Sequence, residues 1–264
     1  MSFLKLRQGH APLILSIPHA GTEIPGPLHP RLASLWLARK DADWWLPELY
    51  AFAEALDVTI LRTDISRTVI DVNRDPSGAS LYPGQATTGL CPLTSFDGEP
   101  LYVAGQEPDD AEIQRRRGDY FDPYHAMLAA EIARLRHLHP VVMLYDCHSI
   151  RSEISSLFED VLPNFNIGTN HGNACDAAIT ERVAAICAAD KSFSYVVNGR
   201  FKGGYITRHY GAPAGGVNAL QMELACRGYM EEPKVPDSEN WPSPFQTSAP
   251  ILPVLQTIIE SLLP

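Results

Sequence analysis

Leu13-Ile-Leu-Ser-Ile17 and Val141-Val-Met-Leu-Tyr145 are short apolar runs, and each leads straight into a histidine-bearing segment, Pro18-His19 and Asp146-Cys147-His148. Runs of this length, bounded by turn formers and polar residues, read as strands buried on both faces. Such strands belong to parallel sheets with helices packed on each side. The rest of the chain alternates accordingly. Residues 31–57 predict helix, with Pro47 starting a second one, and Val58–Arg62 and Thr68–Val72 predict strands. Residues 111–139 predict the longest helix, broken near Pro123. Residues 176–189 predict another helix, Tyr195–Asn198 and Val217–Leu224 predict strands, and residues 251–263 a closing helix. This order predicts an α/β fold whose ligands bind outside the C-terminal ends of the strands. The Gly- and Pro-rich residues 76–105 predict a long loop, and loops of that length are usually functional. No repeat or linker divides the chain, so a single domain over residues 1–264 is expected.

Charge narrows the function classes. The net charge of −10 argues against a nucleic-acid partner, which usually demands a basic stripe. The one basic run, Arg115-Arg116-Arg117, sits among Asp109, Asp110, Glu112 and Asp119 and predicts a solvated helix face. No apolar run approaches the ~20 residues of a membrane-spanning helix, and the first ten residues carry no secretory signal. Five scattered cysteines predict reduced thiols and a cytoplasmic location. Oligomeric state is not legible.

Four constellations could carry chemistry. His19 and His148 follow apolar strands, and with a carboxylate from Asp41-Ala-Asp43 they could form a metal site of two His and one acid. From position alone, histidines that merely hydrogen-bond at loops fit equally well, and either Asp could be a helix cap. Asn73 and Arg74 could hold a carboxylate, although a capped turn pairing Arg74 with Asp75 explains them better unaided. Between Asn198 and Gly211, Arg200, Lys202, Arg208 and His209 are interleaved with glycines and aromatics. That pattern favours an anion site over a solvated charge run, since glycine lets backbone approach a ligand. Finally, Ala219, Gln221 and Glu223 share one face of an apolar strand. A carboxylate there must pair with a cation or serve as a tuned general base.

Taken together, these segments resemble the N-formylglutamate amidohydrolases. The resemblance runs from about Leu13 to Met230. It includes Ser16-Ile-Pro-His-Ala-Gly21, Asp41-Ala-Asp-Trp44, Ile70-Asp-Val-Asn-Arg74, Leu81-Tyr-Pro-Gly84, Thr88-Gly-Leu90 and Phe96-Asp-Gly-Glu-Pro-Leu101. It continues through Pro123-Tyr-His125, Asp146-Cys-His-Ser-Ile-Arg151, Phe165-Asn-Ile-Gly168, Asn198-Gly-Arg-Phe-Lys-Gly-Gly204, Thr207-Arg-His-Tyr-Gly211 and Gln221-Met-Glu-Leu224. The resemblance implies a zinc carboxypeptidase-like fold, with a mixed, mainly parallel sheet of about eight strands flanked by helices. It implies one divalent metal ion, Zn2+ first and Co2+ or another ion as alternatives, held by His19, Asp43 and His148, with Asp41 as the competing acid.

The implied reaction is hydrolysis of the small acidic substrate N-formyl-L-glutamate to formate and L-glutamate in histidine breakdown. Glu223 takes a proton from metal-activated water and returns it to the departing amine, while the oxyanion is held by the metal and a cation. Asn73 and Arg74 would bind one carboxylate. Arg200, Lys202, Arg208 and His209 would bind the other, and Arg151 would assist either catalysis or binding. Trp45 departs from the family, which usually has His after Asp-x-Asp-Trp. Two alternatives stay open: another small N-acyl acid as substrate, or an inactive carboxylate-binding homologue.

Overall fold

The computed structural model describes residues 2–80 and 88–264; the Leu81-Tyr-Pro-Gly84 motif lies outside them. In chain order the elements are β1 (Leu4–Arg7), β2 (Leu13–Ile17), α1 (Leu37–Lys40), α2 (Leu46–Leu49), β3 (Thr59–Thr63), α3 (Asp110–Arg116) and α4 (Asp122–Leu138). They continue with β4 (Val142–Ile150), β5 (Phe165–Gly168), α5 (Ala177–Ala189), β6 (Tyr195–Val197), α6 (Tyr205–Tyr210), β7 (Val217–Ala225) and α7 (Ile251–Ser261). The strands form a seven-stranded sheet in the order β1-β3-β2-β4-β7-β5-β6. The run β3-β2-β4-β7 is parallel, as is β5-β6, whereas β1 pairs antiparallel with β3 and β5 with β7. The expected mixed, mainly parallel α/β sheet is present, with seven strands among the described residues.

Strand alternation splits the core into two layers. Leu13, Leu15 and Ile17 of β2 pack with Met143, Tyr145, Leu220 and Met222, beneath Val183 of α5 and Leu255 of α7. Ile14, Leu144 and Ala219 face the opposite way and pack under Leu128 and Leu135 of α4. Covering both faces removes the need for polar residues on either, which is why β2 and β4 read as continuous apolar runs. On the α4 face the same period of two continues into Ser16, Asp146, His148, Gln221 and Glu223. Their register sets Ser16 beside Asp146, Asp146 beside Gln221, and His148 beside Glu223. The polar ends of three central strands therefore meet on one side of the sheet.

Several elements differ from their sequence expectation. Residues 31–57 form short helical turns rather than long helices. The Asp43 N–H donates to the His19 carbonyl at 3.0 Å, pulling the chain across the sheet end, and Trp45 then adopts a left-handed conformation (φ 64°) before α2. Pro47 does sit in the first turn of α2. Thr68–Val72 forms turns instead of a strand; its branched residues Val69, Ile70 and Val72 are buried for packing, not for pairing. The long helix is interrupted by a π turn at Arg117–Phe121, next to Pro123, which lacks an N–H donor. Within the basic run, Arg115 and Arg117 reach solvent, but Arg116 is buried, with Nη1 on the Val69 carbonyl and the Tyr102 hydroxyl. All five cysteines are buried and free. No helix among the described residues is long and apolar enough to cross a membrane.

Candidate metal centre and active site

His19 leaves β2, Asp43 sits on the turn after α1, and His148 lies inside β4 near its C-terminal end rather than past it. One ligand atom from each lies within 4.8 Å of the others. His148 Nδ1 is 3.2 Å from Asp43 Oδ2, and His19 Nδ1 is 3.7 Å from the same oxygen. The far nitrogens are held from behind: His19 Nε2 is 2.7 Å from Asp71 Oδ1, and His148 Nε2 is 3.0 Å from Asp146 Oδ2. Both imidazoles thus turn Nδ1 toward Asp43 and Nε2 toward a buried carboxylate.

His19 Nδ1 is buried and has no hydrogen-bond partner, which is costly for a polar atom. A cation would satisfy it. Carboxylates behind the ligand histidines are the usual means of fixing their tautomer and orientation. Two nitrogens and one carboxylate leave further coordination positions open, as catalytic sites require. Such donors suit Zn2+ or Co2+ without choosing between them. The residues present fit a divalent ion.

The charges around the group are paired. Burial, reinforced by Arg67, holds the His19 imidazole below its ordinary pKa. Burial alone would do the same to His148, but the Asp146 and Asp43 carboxylates hold it well above its ordinary value. Arg67 closes the network, with Nη2 2.7 Å from Asp71 Oδ2 and Nη1 3.5 Å from Asp43 Oδ1. Asp41, the competing acid, points elsewhere. It accepts from the Phe96 N–H at 2.7 Å, lies 3.8 Å from Arg151 Nη2, and is pushed up to about 6 by burial. The Trp45 indole N–H donates to the Ser243 carbonyl at 2.8 Å, while Asp43 is held by His19, Arg67, His148 and the Ser149 N–H.

The two histidines open onto a cavity of about 270 Å3, which Glu223 also lines. Glu223 accepts from Gln221 Nε2 at 3.1 Å, and burial pushes its carboxyl up to about 7 against the pull of His148. Arg67, Arg74 and Arg200 bring positive charge to the walls, while Phe96, Leu157 and Phe201 supply apolar surface. Arg74 is not paired with Asp75, which instead caps Ser77. It is held by the Thr88 carbonyl and hydroxyl at 3.2 and 3.1 Å, with Asp71 at 3.6 Å. Arg200 Nε donates to the Leu157 carbonyl at 3.0 Å.

Five residues expected at the site do not line this cavity: Asp43, held beside the two histidines, and four others. Arg151 is drawn away by Asp97, 2.6 Å from its Nη2, and by Asp41. Lys202 precedes the Gly203-Gly204 turn and is absent from the walls. Arg208 and His209 fall on α6, whose winding buries Ile206 and Thr207 and rotates these two off that face. Arg208 Nε caps the Gly203 carbonyl at 2.8 Å, and exposed His209 stacks on Tyr205 with ring centroids 4.8 Å apart.

Asn73 does line the cavity, but its amide is committed to the protein. Oδ1 accepts from the Ile206 N–H at 2.8 Å, and Nδ2 lies 3.0 Å from His148 Nε2 and 3.4 Å from Asp146 Oδ2. With the Nε2–H of His148 already donated to Asp146, the Nδ2 group can donate only to Asp146 Oδ2, so Asn73 is placed to hold that carboxylate rather than to bind substrate. Gly204 is glycine for the same reason, since a Cβ there would come within 2.4 Å of Asn73 Nδ2.

Sequence reasoning missed the cavity residues Arg67 and Leu157, and it quoted Phe96 within a motif without giving it a role in the site. Phe96 lies over the Arg67 guanidinium at 4.9 Å. The available signal was an arginine inside the branched apolar stretch Ile65–Val72, where a buried charge requires partners.

The N-formylglutamate amidohydrolase family model matches residues 11–230. N-formylglutamate deformylase of Pseudomonas aeruginosa is 43% identical over 260 residues, covering 98% of this chain and 94% of that protein. The enzyme of the same name from Pseudomonas putida is 42% identical, covering 98% and 95%. In fold, the chain is similar to an N-formylglutamate amidohydrolase from Ralstonia eutropha JMP134, with a TM-score of 0.75 and 21% identity across 99% of this chain and 96% of that one. A gene product of Agrobacterium tumefaciens gives a TM-score of 0.73 at 18% identity, covering 99% and 95%. A match over most of the chain, together with relatives above 40% identity along nearly their full length, makes this chain a member of the N-formylglutamate amidohydrolase family.

Proposed function

We infer that the chain is a metal-dependent deformylase that hydrolyses N-formyl-L-glutamate to formate and L-glutamate, a reaction of histidine breakdown. The observation that carries this reading is the meeting, in one cavity, of a bare buried His19 Nδ1, the Glu223 carboxyl and three arginines. His19, Asp43 and His148 would hold the divalent ion, Zn2+ or Co2+. When bound, such an ion supplies Lewis acidity toward the formyl oxygen and brings the pKa of water down to about 7.

Glu223 acts as the base. Its carboxyl, near neutrality by burial, takes a proton from the attacking water and returns it to the amide nitrogen as the C–N bond breaks. Arg67 offers a fixed positive charge for the oxyanion that develops on the formyl group. Arg74 and Arg200 supply positive charge for the two carboxylates of the substrate. The buried free thiols support a reducing, cytoplasmic location.

The direct test measures L-glutamate release from N-formyl-L-glutamate alongside the metal content of the purified protein. Chelation should abolish turnover, and Zn2+ or Co2+ should restore it. Undiminished turnover in metal-stripped protein sinks the metal role, and none in metal-replete protein sinks the substrate.

The arginines should separate by substrate. Arg74→Ala and Arg200→Ala should each cost about 2–5 kcal/mol in kcat/KM, because a carboxylate is left unpaired. Lysine should rescue only partly, as it lacks the planar fork. N-formyl-L-glutamine lacks the side-chain charge. Arg200→Ala should lose most of its effect on that substrate, and Arg74→Ala, assigned to the α-carboxylate, should keep it. Equal losses on both substrates for both variants end the two-subsite assignment.

A further inference from the structure

The hydrogen bond that holds His148 from behind continues beyond Asp146. Asp146 Oδ1 accepts from Ser16 Oγ at 2.9 Å, and Ser16 Oγ lies 2.9 Å from the Tyr124 hydroxyl. Ser16, Tyr124 and Asp146 are all 0% exposed and His148 2%, so water does not compete for these bonds. The direction of the chain follows by elimination. A carboxylate only accepts, so the single Ser16 proton goes to Asp146, and Tyr124 must donate to Ser16. The run Tyr124→Ser16→Asp146 therefore crosses from α4 over β2 to β4 and meets the Nε2–H of His148 at the other carboxylate oxygen. Ser16 fixes Oδ1, which leaves Oδ2 aimed at the imidazole.

We propose that Tyr124 is a positioning residue for the metal centre, acting through Ser16 and Asp146 on the orientation of His148. It rests on the metal reading above. The ring of Tyr124 also packs in the apolar layer with Leu128 and Leu144. Tyr124→Phe keeps that packing and removes only the hydroxyl. Ser16 then has no donor to hold it, the Asp146 carboxylate gains torsional freedom, and His148 Nδ1 is less firmly directed at Asp43.

The test is a double-mutant cycle of Tyr124→Phe with Asp146→Asn. Zn2+ affinity is read by competition with a chromophoric chelator, and ligand geometry by the visible spectrum of the Co2+-loaded protein. Asp146→Asn should weaken Zn2+ binding on the order of 10–100-fold, as loss of a histidine's outer partner does. Tyr124→Phe, two hydrogen bonds further out, should weaken it roughly three- to tenfold and shift the Co2+ bands. In the Asp146→Asn background it should add nothing, since its whole effect passes through that carboxylate. Ser16→Ala, one bond closer, should weaken Zn2+ at least as much as Tyr124→Phe, and Tyr124→Phe should add nothing to it; it serves in its place if Tyr124→Phe does not fold. Wild-type affinity and Co2+ spectrum in Tyr124→Phe, with only the metal-free melting temperature lowered, would mean a packing role and overturn the proposal. Equal losses in both backgrounds overturn it too. A wild type that takes up no Zn2+ fails the metal reading itself, and this inference with it.

Discussion

His19→Ala is expected to empty the metal centre and reduce turnover to background while the protein stays folded. The loss of affinity should exceed the roughly 10–100-fold cost of deleting an outer-shell partner, because a ligand itself is removed. His19 is the cleaner of the two histidines to delete. Its Nδ1 has no partner in the metal-free protein, and Asp71, the carboxylate behind it, keeps Arg67 at 2.7 Å and Arg74 at 3.6 Å. His148→Ala should also lose the metal, but it removes one cationic partner from Asp146 and Asp43 together and should destabilise the fold by about 3–5 kcal/mol. The two histidines should also differ in proton release. Asp146 and Asp43 hold metal-free His148 well above its ordinary pKa, whereas burial and Arg67 keep His19 below. At pH 7 the ion must therefore displace a proton from His148 and none from His19, so affinity falls as pH drops. Calorimetry in buffers of different ionisation enthalpy should find at least one proton released, that of His148, with a further fraction from Glu223 as the ion favours its carboxylate. Full metal occupancy in His19→Ala would remove His19 from the ligand set.

The strand ends that build this centre were legible because two-sided burial leaves an unmistakable pattern. Leu13–Ile17 is apolar but for Ser16 and Val142–Tyr145 is apolar throughout, and the polar residues just after them are the ones that matter. Glu223 was legible for the same reason, as a charge on a strand with no other explanation. Helix boundaries were harder. Residues 31–57 carry helical spacing, but tertiary contacts override it: the Asp43 N–H is claimed by the His19 carbonyl, and the chain must bend to deliver the carboxylate. Thr68–Val72 has strand composition because its side chains fill both the α4 layer and the cluster around Leu32. Periodicity cannot tell burial by packing from burial by pairing.

Cations were the least legible part. Arg151 and Arg208 look like Arg74 and Arg200 on paper, because what separates them is where the fold carries each guanidinium relative to the cavity. Asp97 draws Arg151 away, and the winding of α6 turns Arg208 off the cavity face. Neither displacement shows in the spacing of the sequence. Arg67 went unnoticed within an apolar run although it touches both Asp43 and Asp71. The outer carboxylates Asp71 and Asp146 sit inside quoted motifs, yet their hold on His19 and His148 needs distances that spacing does not provide.

Glu223→Gln should keep the metal and lose most of the activity. Glu223 stands outside the ligand group, so Zn2+ affinity should stay near wild type. Glutamine preserves the shape and can still accept from Gln221, but it cannot take a proton from water. A positioned general base contributes about 10²–10⁴-fold, and kcat should fall by that much. The pH dependence gives a second, independent signature. Burial pushes the metal-free Glu223 carboxyl up to about 7, and a bound cation nearby favours the carboxylate. In the wild type, kcat/KM should therefore fall with decreasing pH along a limb at or below about 7, and that limb should vanish in the variant's residual activity. Stability should move the other way. An unfolded Glu titrates near about 4.3, so in the metal-free wild type the folded state binds this proton more tightly. The penalty for ionising Glu223 grows as pH rises from there toward 7 and is then constant. Glutamine removes that penalty, so metal-free Glu223→Gln should gain stability relative to wild type across this window and hold the gain above it. A variant within about threefold of wild-type kcat, with an unchanged acid limb, would leave Glu223 a structural residue and the base still to be found among the cavity's other groups.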